Sequence, residues 1–181
     1  MDTIRLGRTN LVVNKNGFGA LPVQRVDITG AAALLRRAYE SGIDYFDTAR
    51  AYTDSEEKMG VALSDVREKI IISTKTHAAT PEEFWQHLAE SLRLLKTDYI
   101  DIYQFHNPAF CPKPGDGTGL YECMLEAKAQ ERSGLSASPT TGWRWRRKRC
   151  AAGCMTRCNS PSPIWRMKRK RRWCGCVRSW M

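Results

Sequence analysis

Strand-like and helix-like segments alternate along the first 130 residues, and this alternation constrains the fold more than any other feature of the sequence. Runs typical of strands begin near residues 17, 43, 70 and 100, which is a spacing of about 27 to 30 residues. A helical pattern follows each run, as in AAALLRRAYESG, where Leu34, Leu35 and Ala38 have helical spacing. Gly42 is the natural end of that helix. Such short units imply an α/β protein whose parallel strands are joined by right-handed crossovers.

The segment TPEEFWQHLAESLRLLK predicts the clearest helix of the chain. Thr80 and Glu83 have the spacing of a capping box, with Pro81 at the first helical position. Four apolar residues at helical spacing supply its buried stripe: Phe84, Leu88, Leu92 and Leu95. The β-branched run KIIISTKT before this helix is typical of a buried strand in a parallel sheet.

Two architectures have repeated βα units of this kind, the doubly wound sheet and the (β/α)8 barrel. No GxGxxG follows the first strand, and the GFG at residues 17–19 is too short to replace it. The sequence therefore favours a partial (β/α)8 TIM barrel of about four βα units, which is half the usual number.

Polar residues stand where three of the expected strands end, and active sites of barrels form at the carboxyl ends of their strands. Asp47 ends YFD, Lys75 ends IIISTK and His106 ends IDIYQFH. Tyr52 follows Asp47 by five residues, in the loop that leaves the same strand. A single polar residue at a strand end is more often a cap or a salt-bridge partner, but four at matching positions favour a site.

These four side chains suit the reduction of a carbonyl group. Asp47 can supply the counter-ion that a buried Lys75 needs. An ammonium beside Tyr52 would lower the pKa of the phenol from about 10 towards neutrality. Such a tyrosine can donate a proton to a carbonyl oxygen that is becoming an alkoxide. His106 can orient the same carbonyl, and the hydride must come from elsewhere.

Three segments, FDTARAYTDSEE, IIISTKT and DYIDIYQFHNP, resemble the signature segments of the aldo-keto reductases. IRLGRTNLVVNKNGFGALPV resembles the N-terminal hairpin of that family, which caps the barrel floor, followed by the first barrel strand. The resemblance runs from about residue 3 to Gln130. It implies a (β/α)8 barrel and NAD(P)H-dependent reduction of aldehydes or ketones.

The resemblance also implies roles for individual residues. The catalytic tetrad of the family falls on Asp47, Tyr52, Lys75 and His106, with Tyr52 as the proton donor. Asp47 and Lys75 would tune the tyrosine, and His106 would direct the carbonyl of the substrate. Gly19 and Asp47 would contact NADPH or NADH, whereas most cofactor contacts of the family lie beyond the fourth helix. No metal is expected.

The composition changes abruptly after Gln130. Residues 131–181 contain fourteen Lys or Arg and one acidic residue, with five of the six Trp and five of the seven Cys, so the net charge of +10 comes from this segment. Basic residues with aromatics are typical of nucleic-acid-binding arms and of segments that lie on anionic membranes. Five cysteines also raise the possibility of zinc, but Cys150, Cys154 and Cys158 lack the usual C-x2-C spacing and the segment has no His.

A shift of reading frame is the fourth interpretation, and back-translation favours it. When the third base of each codon is read with the first two of the next, residues 152 to 162 permit Gly-Leu-Tyr-Asp-Thr-Val-Gln-Phe, which resembles the later strands of the family. The other frame is closed, because Met155 followed by Thr156 forces a stop codon. We therefore interpret residues 1–130 as the N-terminal half barrel and residues 131–181 as a non-homologous, disordered basic tail.

This interpretation predicts a truncated and inactive form of the enzyme. The first and fourth strands of a half barrel would expose unpaired backbone groups, which invite aggregation or self-association. Two rival functions remain: a binding protein that contacts nucleic acid through the tail, and a non-catalytic cofactor-sensing subunit.

Two features of the sequence indicate a location. No run reaches membrane-spanning length, and the start MDTIRLGRTNLVV has no signal-peptide h-region. The first half has only Cys111 and Cys123, which fits a reducing compartment. We expect a cytoplasmic protein that does not contact membranes, while its carbonyl substrate and the choice between NADPH and NADH stay open.

Overall fold

The computed structural model of the chain describes residues 2–7, 9, 11–108 and 112–130, and the backbone of residues 136 and 137. Its strands, in chain order, are β1 (Thr3–Arg5), β2 (Val12–Asn14), β3 (Phe18–Gly19), β4 (Tyr45–Asp47), β5 (Ile71–Thr76), β6 (Tyr99–Ile100), β7 (Ile102–Phe105) and β8 (Ser136–Ala137). Its helices are α1 (Ile28–Glu40), α2 (Ser55–Leu63), α3 (Pro81–Leu95) and α4 (Leu120–Ala129), with 3-10 turns at Leu21–Arg25 and Ser64–Lys69. The predicted alternation of strands and helices is confirmed.

The main sheet is parallel and has the strand order β3-β4-β5-β7. Each neighbour pair is joined by a crossover that contains one helix. The strands β1 and β2 form a separate antiparallel hairpin before this sheet, with Ile4 opposite Val13. This α/β arrangement fits a partial (β/α)8 barrel preceded by a hairpin. None of the helices in the described ranges is long and apolar enough to cross a lipid bilayer.

Helix α3 begins and ends as its sequence predicts. The Thr80 hydroxyl accepts a hydrogen bond from the backbone N–H of Glu83 at 3.3 Å, and the Glu83 carboxylate accepts one from the N–H of Ala79 at 2.7 Å. Lys96 then adopts a left-handed conformation with φ of 53°, and the N–H of Thr97 donates to the Leu92 carbonyl, which closes the last turn.

Alternate residues of the strands point to opposite faces of the sheet, and one face packs against the helices. The ring of Phe84 in α3 lies 5.6 Å from that of Tyr103 and 6.0 Å from that of Phe105, both in β7. Phe46 in β4 and Ile72 in β5 belong to the same buried cluster. The opposite face carries Asp47, Lys75 and other half-buried polar side chains, so the sheet separates an apolar layer from a polar surface.

The fourth strand differs from its prediction. The sequence predicts one strand over YIDIYQFH, but Asp101 interrupts it between β6 and β7. The Asp101 carboxylate accepts from the N–H of Ile72 at 2.9 Å and from the Arg67 guanidinium at 2.7 Å. Arg67 also donates to the carbonyls of Ile70 and Tyr99. The Asp101 side chain is therefore the hydrogen-bond acceptor for the Ile72 N–H at this step of the strand pairing. Arg67, from a more distant segment, binds the same carboxylate.

The pairing of β6 continues past the expected domain boundary at Gln130. Its residues Tyr99 and Ile100 pair in parallel with Ser136 and Ala137 of β8. The start of the fourth strand therefore has a neighbour within the described residues, although the sequence predicts an unpaired edge there. The boundary itself stays a prediction. The nucleic-acid, membrane and zinc interpretations concern side chains of residues 131–181, which lie outside the described residues.

Candidate active site

Four polar side chains meet at the carboxyl ends of the parallel strands. Asp47 is the last residue of β4, Lys75 is the fifth residue of β5, and His106 follows the last residue of β7. Tyr52 lies in the loop between β4 and α2. The structure thus brings all four sequence-predicted residues to one rim of the sheet.

Lys75 and Asp47 form an ion pair at the centre of this rim. The Lys75 Nζ atom lies 2.6 Å from Asp47 Oδ2 and donates a second hydrogen bond to the Thr48 carbonyl oxygen at 2.7 Å. The two side chains are 14% and 23% exposed, so the pair is shielded from water more than a surface pair would be. Because β4 and β5 are adjacent strands, their register fixes this contact.

Tyr52 and His106 complete the group through their rings. The two ring centroids are 5.5 Å apart with an angle of 87° between the planes, an edge-to-face contact. Lys75 Nζ lies 5.6 Å from the centroid of the Tyr52 ring. The N–H of His106 donates to the Thr76 carbonyl at 2.7 Å, so the imidazole stands on a residue that is still paired with β5.

The loop that carries Tyr52 is held by backbone hydrogen bonds at both ends. The N–H groups of Thr48 and Arg50 donate to the carbonyls of Ser73 and Lys75, which extends the pairing of β4 with β5 past Asp47. The chain then turns, because the N–H of Tyr52 donates to the Ala49 carbonyl at 2.9 Å. The five residues after Asp47 therefore comprise an extended stretch that pairs with β5 as far as Arg50 and a turn that ends at Tyr52.

The expected effect of Lys75 on Tyr52 is wrong. The sequence predicts that the ammonium lowers the pKa of the phenol, whereas burial and, after it, the Asp47 carboxylate raise the pKa of Tyr52 above its ordinary value of 10.0. The physical reason is that the Lys75 charge is already balanced by Asp47 at 2.6 Å, much closer than the Tyr52 ring. At neutral pH the phenol therefore keeps the proton that it would donate.

Comparison with known proteins places this chain in a family. The protein-family model described as "Aldo/keto reductase family" matches residues 15–130, which is more than half of the chain. The chain belongs to the aldo/keto reductase family. Among curated relatives, "Probable voltage-gated potassium channel subunit beta" of Oryza sativa is 31% identical over 126 residues, and "Probable aldo-keto reductase 1" of Glycine max is 30% identical over 161 residues.

A similar solved structure is also described as an aldo-keto reductase. The holo form of aldo-keto reductase AKR11C1 from Bacillus halodurans has a TM-score of 0.62 and 29% identity to this chain. The match to the Oryza sativa protein covers 57% of this chain and 36% of that protein. The match to the Glycine max protein covers 76% of this chain and 46% of that protein. The match to the Bacillus halodurans structure covers 75% of this chain and 48% of that one. The chain thus spans less than half the length of each of these three relatives.

Gly19, a predicted cofactor contact, pairs with Asp47 in the parallel register of β3 and β4. A Cβ atom built on Gly19 would meet no heavy atom within 4 Å. Packing within the described residues therefore does not require a glycine there, and the surface above Gly19 is open. Its role in cofactor binding stays a prediction. Across the same described ranges, no three His, Cys, Asp or Glu side chains are placed to hold a metal ion.

A second polar layer lies beneath the four rim residues of this chain, and sequence reasoning missed it. The Gln104 amide donates to Ser73 Oγ at 3.0 Å, and Ser73 is also a hydrogen-bond partner of the Tyr45 phenol. Burial and the Asp47 charge raise the pKa of Tyr45. Tyr45, Ser73 and Gln104 precede Asp47, Lys75 and His106, respectively, by two positions. Residues two apart in a strand share a face. The period of two was the signal that could have found them.

Proposed function

We propose that this site reduces the carbonyl group of an aldehyde or ketone, with Tyr52 as the proton donor and NADPH or NADH as the source of hydride. The observation that carries the proposal is the meeting of a phenol, an ammonium, a carboxylate and an imidazole at one rim, with the Tyr52 and His106 ring centroids 5.5 Å apart in edge-to-face contact. Membership of an oxidoreductase family supports the reaction class.

The proton comes from Tyr52. When bound, NADPH or NADH would supply the hydride for the carbonyl carbon, and the carbonyl oxygen would gain negative charge. Tyr52 Oη donates its proton to that oxygen, so that the product is an alcohol and Tyr52 is left as a phenolate. The raised pKa of Tyr52 keeps the proton in place at neutral pH until the oxygen becomes more basic than the phenolate.

The other three residues control charge and position. Lys75 Nζ lies 5.6 Å from the centroid of the Tyr52 ring, and Asp47 balances its charge and holds it in place beside the phenol. His106 stands beside Tyr52 and can orient the carbonyl oxygen towards the Tyr52 hydroxyl. Within this chain Gly19 and Asp47 are the residues that would hold the cofactor, and the open surface at Gly19 is compatible with that role.

The test uses an extended chain, in which residues 1–130 are continued by the C-terminal part of the Bacillus halodurans aldo-keto reductase. We expect Tyr52→Phe to lower NADPH-dependent turnover of aldehydes by roughly 10²- to 10⁴-fold, because the substitution removes only the donated proton. Tyr39→Phe, in α1, is the matched control and should leave turnover intact. Equal turnover in the two variants would rule out Tyr52 as the donor.

A polypeptide of only these 181 residues should be inactive in the same assay. Its described residues provide one parallel sheet of four strands, and the resemblance to the family implies that most cofactor contacts lie beyond the fourth helix. Family-like turnover by the 181-residue polypeptide would contradict this expectation.

The cytoplasmic location stays a prediction.

A non-catalytic partner subunit is the second candidate function. The relative from Oryza sativa, whose name describes a potassium channel subunit, favours it. The two candidates differ in the role of the phenol: Tyr52→Phe should abolish turnover in an enzyme, whereas a cofactor-sensing subunit should keep its binding unchanged.

A further inference from the structure

The first turn of α2 carries three polar side chains that are almost completely buried. Ser55, Glu56 and Lys58 are 0%, 1% and 3% exposed, although they stand at the start of a helix, where charged residues usually face water. Burial of a charged group costs free energy unless the group is paired and hydrogen-bonded. Their contacts therefore indicate what the burial achieves.

Two of the three side chains hold the loop after β3. The Ser55 hydroxyl donates to the Ala20 carbonyl at 3.0 Å, and since it has only one proton, the Thr48 hydroxyl must donate in their 2.9 Å contact. Lys58 Nζ donates to the Val23 carbonyl at 3.0 Å and pairs with Asp54 at 2.8 Å. The helix is thereby fixed to the segment that follows Gly19.

Glu56 joins the two segments that carry Tyr52 and Lys75. One carboxylate oxygen accepts from the Thr74 hydroxyl at 2.6 Å, and Thr74 directly precedes Lys75 in β5. The other oxygen binds the guanidinium of Arg50, which lies between Asp47 and Tyr52. Thr74 and Lys75 are consecutive in β5, so their side chains point to opposite faces of the sheet, and Glu56 binds Thr74 on the face away from the Lys75 side chain.

Tyr52 lies between two anchored residues. Arg50 is held by its side chain to Glu56 and by its N–H to the Lys75 carbonyl. Ser55 is buried in α2, and its N–H donates to the Tyr52 carbonyl at 2.9 Å. We propose that Glu56 is a positioning residue, whose buried carboxylate holds the Tyr52 loop against the strand that carries Lys75. The inference rests on the proposed function, because it assumes that Tyr52 and Lys75 form the reactive pair.

The first experiment measures the pKa of Tyr52 in the 181-residue chain by NMR titration of carbon-13-labelled tyrosine, with the Tyr52 signal assigned from its loss in Tyr52→Phe. In Glu56→Gln the loop should loosen, and Tyr52 should gain water and move away from Asp47. Both changes remove causes that raise its pKa, so the pKa should fall towards the ordinary value of about 10. The contact between the Tyr52 and His106 rings should weaken in the same spectra.

Arg50→Met separates positioning from a direct effect of charge. Loss of a positive charge near Tyr52 would by itself raise the pKa of the phenol, whereas loss of the anchor should lower it, as in Glu56→Gln. Asp65→Asn is the matched control, since it removes the carboxylate of the exposed Arg36–Asp65 pair and should leave the pKa of Tyr52 unchanged. Opposite shifts in Glu56→Gln and Arg50→Met would overturn the proposal.

Thr74→Val keeps the test decisive if Glu56→Gln does not fold. It removes one hydrogen bond to Glu56 while the ion pair with Arg50 remains, and it should lower the pKa of Tyr52 by a smaller amount. A lower free energy of unfolding with an unchanged Tyr52 titration in the folded variants would mean that Glu56 only stabilises the fold. If Tyr52→Phe keeps its turnover in the extended chain, the proposed function fails instead, whatever the titrations give.

Discussion

The Asp47 carboxylate acts on two neighbours of opposite character. It holds the Lys75 ammonium at 2.6 Å, and its negative charge helps to raise the pKa of the Tyr52 phenol. A single carboxylate thereby keeps the ammonium in place and adds to the effect of burial on the pKa of the phenol. Asp47 also pairs with Gly19 through the backbone register, so the residue lies at the junction of three strands.

Asp47→Asn should lower the pKa of Tyr52. The substitution removes a charge that disfavours the phenolate, and it releases the Lys75 ammonium from its partner, so both effects favour the ionised phenol. The same tyrosine titration by NMR measures the change, with Asp65→Asn as the control for loss of a carboxylate elsewhere. An unchanged or higher pKa would mean that Asp47 does not control the phenol.

The positions of the site residues could be predicted from the sequence, but their electrostatics could not. Counting to the ends of strand-like runs is enough to bring Asp47, Lys75 and His106 together, because parallel strands end at one edge. The direction of the Tyr52 pKa shift depends instead on the burial of the phenol, and then on whether Lys75 lies closer to Asp47 or to the ring. The 2.6 Å and 5.6 Å distances decide that question, and no spacing in the sequence contains them.

At the scale of secondary-structure elements, α2 and α3 approach each other at Gly60. A Cβ atom on Gly60 would lie 2.1 Å from the Leu94 carbonyl oxygen and 2.9 Å from the Leu95 carbonyl carbon, which are backbone atoms that cannot rotate away. Only glycine permits this contact. Because α2 also carries Ser55, Glu56 and Lys58, the packing of α2 on α3 supports the loop of the site.

Gly60→Ala should destabilise the fold by roughly 1–3 kcal/mol, as overpacking of a tight interior does. Gly19→Ala is the matched control, since a Cβ at that position meets open space and should change stability little. Denaturant unfolding of both variants measures the free energies. Equal losses in the two variants would show that α2 and α3 do not pack as closely as described.

The stability of the fold should fall in alkaline solution because of its buried tyrosines. Burial raises the pKa of Tyr103 far above 10.0, and the nearby Thr76 hydroxyl only partly offsets the shift. Below about pH 10 the phenol is protonated in both folded and unfolded chains; above it the unfolded chain loses its proton first, so the free energy of unfolding falls as pH rises. Tyr103→Phe should reduce this slope, measured by denaturant unfolding between neutral and alkaline pH, whereas Tyr39→Phe serves as its control. Parallel slopes for Tyr103→Phe and the unchanged chain would contradict the assignment.

Element types were predictable from periodicity, whereas the division of the fourth strand was not. The stripe from Phe84 to Leu95 and the cap at Thr80 belong to one local segment, and local patterns report such features. The break at Asp101 depends on Arg67, which comes from another part of the chain and meets it only in the folded state. The buried role of Glu56 escaped prediction for the same reason, since its partners Arg50 and Thr74 are brought together by the sheet.

For the whole molecule, the described residues form half of the strand complement of a (β/α)8 barrel, with a polar inner face that is half-buried. In the described ranges β3 has one neighbour, β4, and β7 has one neighbour, β5. Unpaired strand edges favour association with other chains. We expect the 181-residue polypeptide to self-associate with rising concentration, which sedimentation velocity measures, and the extended chain to remain monomeric under the same conditions. A 181-residue polypeptide that stays monomeric at all concentrations would contradict this.

The reading-frame interpretation of residues 131–181 stays a prediction at this scale. It could be made from the sequence because codon choices restrict what a shifted frame can encode. The nucleotide sequence across Gln130, translated in all three frames, checks it directly. A shifted frame that continues the family's strands past Gln130 is the expected result.

The central claim is that Asp47, Tyr52, Lys75 and His106 act together on one carbonyl group. Its most direct test is label transfer in the extended chain, with an aldehyde and NADPH that carries deuterium at the position of the transferred hydride. The extended chain and its Tyr39→Phe variant should yield alcohol with deuterium on the former carbonyl carbon, and Tyr52→Phe should yield almost none. Labelled alcohol from Tyr52→Phe in the same amount as from the unchanged extended chain would contradict the account.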